Sequence, residues 1–228
     1  MTRILVVAAH PDDEVLGCGG TMARHAAEGD RVDILILAEG VTARDATRDA
    51  ARRSGEIEAR QEAARAAAGA LGAEPPRFAG LPDNRLDTLP LLDVVRCVET
   101  AIEELAPSVL YTHHGGDLNV DHRVAHQAVL TACRPLPGTG VRAVYCFETV
   151  SSTEWASPGD GPGFRPTRFV DIVQTLERKR QALACYEAEL RAFPHARSME
   201  GVEALARLRG AGVGVDAAEA FEVIREIV

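Results

Sequence analysis

The sequence has no stretch of about 20 apolar residues that could cross a bilayer. Its opening, "MTRILVVAAHPDDE", carries one basic residue and a short apolar run, without the longer apolar core of a signal peptide. No run of Lys and Arg stands out. With 34 acids against 25 bases the formal net charge is −9, poorly suited to following a phosphate backbone. The five cysteines, Cys18, Cys97, Cys133, Cys146 and Cys185, are odd in number, widely spaced and free of any CxxC. That excludes a disulfide frame and a Cys-ligated zinc, and fits reduced thiols. Only Lys179 among the 25 bases is a lysine, which reads as GC-rich coding rather than chemistry. There is no internal repeat, so no solenoid. These absences point to a cytoplasmic protein that handles a small molecule, with neither nucleic acid nor membrane as partner. A homo-oligomer is left open.

What is present is an alternation of apolar runs and helical stretches. At 228 residues and 46% hydrophobic, the chain suits one α/β domain over 1–228, since single cores grow to about 250 residues. Residues 3–9, 31–40, 108–114 and 143–150 read as buried strands, with a short strand in "TRFVDI". Helices are expected over 16–28, 44–71, 91–105, a segment within 115–134, 173–190 and 200–209. "LPDNRLDTLP" (81–90) and residues 151–164 read as loops. The alternation predicts a Rossmann-like, mostly parallel sheet with helices on both faces.

In such sheets ligands bind beyond the carboxyl ends of the strands. The unusual polar residues gather there. The first strand ends in "HPDDE", the second in "AEG", the third in "THHGGDLNVDH" and the fourth in "ETVSSTEW". Imidazole nitrogen and carboxylate oxygen are zinc's usual non-thiol ligands. His10 and one of Asp12 and Asp13 can reach one ion from a single turn. The third ligand must come from another strand end, where His122 is the best placed. Two adjacent buried acids repel each other, and a dication offsets that repulsion. The spare acid could then serve as general base.

Blander readings weigh against individual residues. "HPDD" could be a Pro-shaped turn with an Asp capping the next helix. His126, four residues after His122, reads as packing, His25 as surface or packing, and Cys18 as a packed thiol. "GCGG" (17–20) is not GxGxxG, and the three acids before it would repel a pyrophosphate.

"AHPDDE", the "xDH" that opens a later helix, "ARQEAARAAAGALG" (59–72) and "LPDNRLDT" (81–88) together resemble the LmbE-like/PIG-L family of zinc-dependent N-deacetylases. The resemblance implies a Rossmann-like fold with one zinc per chain, although Fe2+ or another divalent ion suits the same ligands. By motif His10, Asp13 and His122 would be the ligands, Asp12 the general base, and Asp121 an acid behind His122. The substrate would be a small N-acetylated molecule, an amino sugar or its conjugate.

One departure matters. Many family members carry H-P-D-H where this chain has "NVDH", which places Asn119 where a histidine is thought to help stabilise the oxyanion. Either Asn119 donates as a neutral group, or His113 or His114 replaces the imidazole. For substrate binding, Arg60 matches the family's helix arginine, Trp155 could stack on a sugar, and His195 and Arg197 lie in a polar knot, "FPHARS". Glu39, Asp83, Asn84, Glu148, Ser151, Ser152 and Ser198 are weaker candidates. The rival functions are an amidase for a non-sugar conjugate or natural-product intermediate, a non-catalytic metal- or sugar-binding protein, and a nucleotide-binding module.

Overall fold

A computed structural model describes residues 1–157, 159 and 161–228. Among the described residues, seven strands form one sheet in the order β3-β2-β1-β4-β5-β7-β6. They are β1 (Arg3–Ala8), β2 (Arg31–Ala38), β3 (Arg77–Leu81), β4 (Val109–His113), β5 (Ala143–Phe147), β6 (Arg168–Asp171) and β7 (Ala218–Glu226). The first five run parallel, and β7 pairs antiparallel with both β5 and β6. Six α-helices connect them: α1 (Asp13–Ala27), α2 (Ser54–Leu71), α3 (Leu91–Leu105), α4 (Val120–Ala132), α5 (Leu176–Ala184) and α6 (Met199–Ala211). No helix among the described residues is long and apolar enough to cross a membrane.

Strand β1 explains the two-faced burial. Ile4 and Val6 face one cluster with buried side chains of α1, α2 and α5, while Leu5 and Val7 face a second with Val94, Val98, Ala125 and Val129 of α3 and α4. The unbroken apolar run after Arg3 is what a strand covered on both sides requires. In α2 the buried positions are Ala64, Ala67, Ala68 and Leu71, and the small side chains admit the helix close to its neighbours.

The expected mostly parallel Rossmann-like fold is present, with differences at its edges. Helix α2 begins at Ser54, not at 44. The stretch before it, rich in Arg and Asp, is tied instead by Arg53 bonding Asp45 and by Arg52 N–H donating to Asp49. Helix α1 begins three residues before the expected start, so that Asp13 and Glu14 occupy its first turn, where the helix dipole favours acids. Helix α5 ends at Ala184, and the following turn carries Tyr186 and Glu189 to the cleft described below. Strands β3 and β7 were not expected. The first is a short edge strand with Gly80 at φ 67°, and the second carries Glu219, Glu222 and Glu226 among apolar residues at the antiparallel side of the sheet. The loop expected over 151–164 holds a 3-10 turn at Thr153–Trp155, and its residues 158 and 160 lie outside the described residues.

The "GCGG" segment is a break inside α1. Cys18 leaves helical geometry at φ −147°. The N–H groups of Gly20 and Thr21 donate to the Glu219 carboxylate at 2.9 and 2.7 Å. Lys179, the single lysine, ion-pairs with Glu219 and donates to the Leu16 carbonyl at 2.9 Å. The amides that a phosphate loop would present are already used.

Candidate active site

From β1 the chain continues to β2 on one side, and from β4 to β5 on the other. Between β1 and β4 the strand order reverses, and here α/β sheets open a crevice. His10 follows β1, while His122 sits in the first turn of α4, just after β4. Although far apart in sequence, they face each other with ring centroids 5.4 Å apart.

Asp13 stands between them. Its Oδ2 lies 3.1 Å from His10 Nδ1 and 3.2 Å from His122 Nε2. His10, Asp13 and His122 form a buried group able to hold a metal ion. Two atoms decide the fit: Asp13 Oδ1 and His122 Nε2 are buried and have no hydrogen-bond partner among the described residues. Tetrahedral N/O sites with bonds of about 2.0–2.1 Å place neighbouring ligand atoms about 3.3 Å apart, close to these separations. The remaining ring nitrogens meet carboxylates: His10 Nε2 is 3.1 Å from Asp121 and 3.3 Å from Asp83, and His122 Nδ1 is 3.1 Å from Asp117. Histidines that bind metals are held in this way by acids behind them.

The charges point the same way. Burial opposes a charge on His10, yet Asp121, Asp13 and Asp83 raise it well above the ordinary value. Burial likewise opposes a charge on His122, and Asp13 and Asp117 carry it up to about 9. Against its own burial, Asp13 is held well below the usual carboxylate range by His122 and His10. This is a pocket of acids that calls for positive charge.

Asp12 is the acid left over. Its backbone is left-handed, with φ 119° and ψ −29°, a strained geometry for a residue other than glycine. Its amide donates to Glu14 at 3.0 Å, and Tyr186 OH donates to the other oxygen of that carboxylate. Burial raises Glu14 to about 8. The Asp12 side chain makes no helix cap. It turns instead into a cleft of about 850 Å³, where Arg197 Nη1 lies 3.1 Å from its Oδ2. Burial lifts Asp12, Arg197 pulls it back, Asp13 lifts it again, and it stands at about 7.

The other expected residues divide clearly. Asn119 lines the cleft, and its Oδ1 caps α4 by accepting the Asp121 N–H at 2.8 Å. Arg60 lines the cleft and pairs with Glu189, with its Nη1 3.5 Å from the Pro11 carbonyl. Asp83 and Asn84 also line it. His113 lies against the cluster, stacked on His122 at 3.9 Å, but its ring is fixed. Nε2 accepts the Ala9 N–H at 2.9 Å and Nδ1 meets Thr149 Oγ1 at 3.3 Å. Burial, reinforced by His122, pushes its pKa well down.

The structure does not bring His114 into the cluster. Its ring spans Glu222 and the Pro162 carbonyl. Trp155 is half exposed and meets His195 edge-on at 5.9 Å, and neither is among the residues lining the cleft. His195 Nδ1 accepts the Arg197 N–H at 3.0 Å and so acts on the turn that carries Arg197. Sequence reasoning passed over Asp117, Glu14, Tyr186 and Glu189. For Glu14 the signal was the third acid of "DDE", and for Asp117 the Asp after two glycines at a strand end.

The family model for PIG-L, described as GlcNAc-PI de-N-acetylase, matches residues 5–133. The chain belongs to this family. Among curated relatives, a 1D-myo-inositol 2-acetamido-2-deoxy-alpha-D-glucopyranoside deacetylase of Thermobifida fusca is 33% identical over 208 residues, covering 75% of this chain and 72% of the relative. Among solved structures, the conserved protein TT1542 from Thermus thermophilus is 28% identical, with a TM-score of 0.75 over 100% of this chain and 97% of that one. GalB, the 4-carboxy-2-hydroxymuconate hydratase of Pseudomonas putida, is 26% identical, with a TM-score of 0.78 over 100% and 98%. The chain is thus similar both to a deacetylase and to a protein described as a hydratase.

Proposed function

We propose that the protein is a metal-dependent N-deacetylase that hydrolyses the acetamide of an amino sugar or amino-sugar conjugate, with zinc as the expected ion. The observation that carries this reading is the division of labour between adjacent acids. Asp13 faces His10 and His122, while left-handed backbone turns Asp12 into the cleft. Binding alone would need only the first.

A divalent ion held by His10, Asp13 and His122 would polarise the acetamide carbonyl and lower the pKa of a water. Asp12 accepts the proton of the attacking water and delivers it to the nitrogen as the C–N bond breaks, leaving acetate and a free amine. Arg197 keeps the Asp12 carboxylate aimed into the cleft from 3.1 Å. Asn119, with its Oδ1 used by the cap, has its NH2 left to donate to the carbonyl oxygen as that gains charge. Such a donor is often worth about 3 kcal/mol. His113 is tied at both nitrogens and holds the His122 ring from behind. Arg60, Arg53, Asp83 and Asn84 offer donors and acceptors for hydroxyls along the cleft.

A second reading rests on the full-length likeness to GalB, together with Arg53, Arg60 and Arg197 on the cleft wall. Guanidiniums suit substrate carboxylates, and adding water to an unsaturated acid also needs an activated water and a base.

One experiment separates the two. Metal-loaded enzyme is given a panel of N-acetylglucosamine conjugates, with acetate release followed, and a conjugated unsaturated carboxylate, with loss of its ultraviolet absorbance followed. Acetate release that Asp12→Asn abolishes is the expected result. Absorbance loss without acetate release would replace the deacetylase with the hydratase.

A further inference from the structure

Asp117 is buried in the loop between β4 and α4, and nothing in the reaction uses it directly. Its carboxylate is nonetheless crowded with donors. Asn119 N–H donates to Oδ1 at 2.8 Å, Thr153 Oγ1 donates to Oδ2 at 2.6 Å, and Ser152 Oγ donates to Oδ1. His122 Nδ1 stands 3.1 Å from the same Oδ1.

We infer that Asp117 is the positioning residue of His122: its Oδ1 accepts a hydrogen bond from Nδ1–H and thereby turns the bare Nε2 toward Asp13 and the ion. This rests on His122 being a metal ligand. An imidazole offers one nitrogen to a metal only when the other holds the proton, and the partner of that other nitrogen sets both tautomer and ring angle. Nε2 is buried without a hydrogen-bond partner among the described residues, so the ring is oriented from the Nδ1 side, where Asp117 Oδ1 at 3.1 Å is nearer than Ser152 Oγ at 3.5 Å.

The two hydroxyl donors that fix Asp117 come from the segment after β5, and that segment reaches the base as well. Glu154 accepts the N–H groups of Ser151 and Ser152 and closes the turn. Ser151, at φ 63°, accepts the Arg197 Nε–H at 2.7 Å, and Arg197 contacts Asp12. Adjacent serines of one turn thus hold the metal ligand through Asp117 and the base through Arg197.

The test is metal affinity, read by competition with a chromophoric zinc chelator, together with the visible spectrum of the cobalt-substituted protein. Asp117→Asn is expected to raise the zinc Kd about 10–100-fold and to alter the cobalt spectrum. Ser152→Ala, which removes one donor to Asp117, is expected to raise Kd by a smaller factor. Asp117→Asn that binds zinc with the wild-type Kd overturns the inference and leaves the metal centre standing, even if its thermal midpoint falls, because the residue would then serve the fold alone. Should Asp117→Asn fail to fold, Ser152→Ala with the wild-type Kd overturns it. Wild-type protein that binds no divalent ion overturns the metal reading and the inference with it.

Discussion

His10 Nε2 and Asp121 Oδ2 lie 3.1 Å apart although 111 positions separate them in sequence. The same carboxylate accepts the N–H groups of Asn84 and Leu86 at 2.7 and 2.9 Å. One side chain therefore joins the first strand end, the loop after β3 and the start of α4. Asp121→Ala would leave His10 Nε2 with Asp83 alone, at 3.3 Å, and strand two amides. Metal affinity should fall about 10–100-fold, and the buried Leu86 amide left unpaired should cost about 1–3 kcal/mol of stability. Chelator competition and urea unfolding of the metal-free protein measure the two losses separately. Unchanged metal affinity beside lost stability would make Asp121 a loop anchor only.

Much of this site could be read from residues at strand ends. "HPDDE" placed His10, Asp12 and Asp13 on one turn, and "NVDH" placed Asp121 and His122 at the next strand along. The Rossmann-like frame followed from strands with near-continuous apolar runs. What could not be read depends on pairing across long separations. Nothing in "AEAFEVIRE" says that it runs antiparallel beside β5, so Glu219 could not be matched to Gly20 and Lys179. The role of Asn119 as a cap, the exclusion of His114 by Glu222, and the Asp117–His122 contact likewise need the folded register.

The Glu219–Lys179 pair predicts an asymmetry. Glu219 neutralises a buried lysine and also accepts from Gly20 and Thr21 at the break in α1. Glu219→Gln leaves the ammonium uncompensated, and losing one partner of a buried pair costs about 3–5 kcal/mol. Lys179→Met leaves the carboxylate with two amide donors and fills the space with an apolar chain. It should cost clearly less. Urea unfolding of both variants gives the comparison, and equal losses would mean that the pair acts through charge alone.

Gly17 is required by packing. A methyl there would fall 2.2 Å from Phe147 Cδ2, and the Phe147 ring packs on His113 at 4.7 Å. Gly17→Ala must displace this ring, which also packs on the histidine stacked on His122. Overpacking of this kind costs about 1–3 kcal/mol. The thermal midpoint should fall, and metal affinity should fall with it. A variant with the wild-type midpoint would show that Phe147 has room to turn away.

Glu222 Oε2 lies 2.6 Å from His114 Nδ1, and the opposite ring nitrogen meets the Pro162 carbonyl at 2.8 Å. Burial works against a charged ring, but Glu222 and the carbonyl outweigh it and raise His114 above its ordinary 6.5. Burial would raise Glu222, but His114 and the Arg165 N–H bring it below its ordinary 4.5. A stabilised imidazolium contributes fully below its unfolded pKa and is lost as pH rises through the folded value. A stabilised carboxylate contributes above its unfolded pKa and is lost as pH falls through the folded value. Both contributions are present together from about 4.5 to about 6.5 and decline above that range as the ring loses its proton. The stability advantage of wild type over His114→Gln should therefore be larger at about pH 5.5 than at about pH 8.5. Urea unfolding at the two pH values measures it. An advantage that does not change with pH would mean that the ring is neutral throughout and that Glu222 accepts an ordinary N–H.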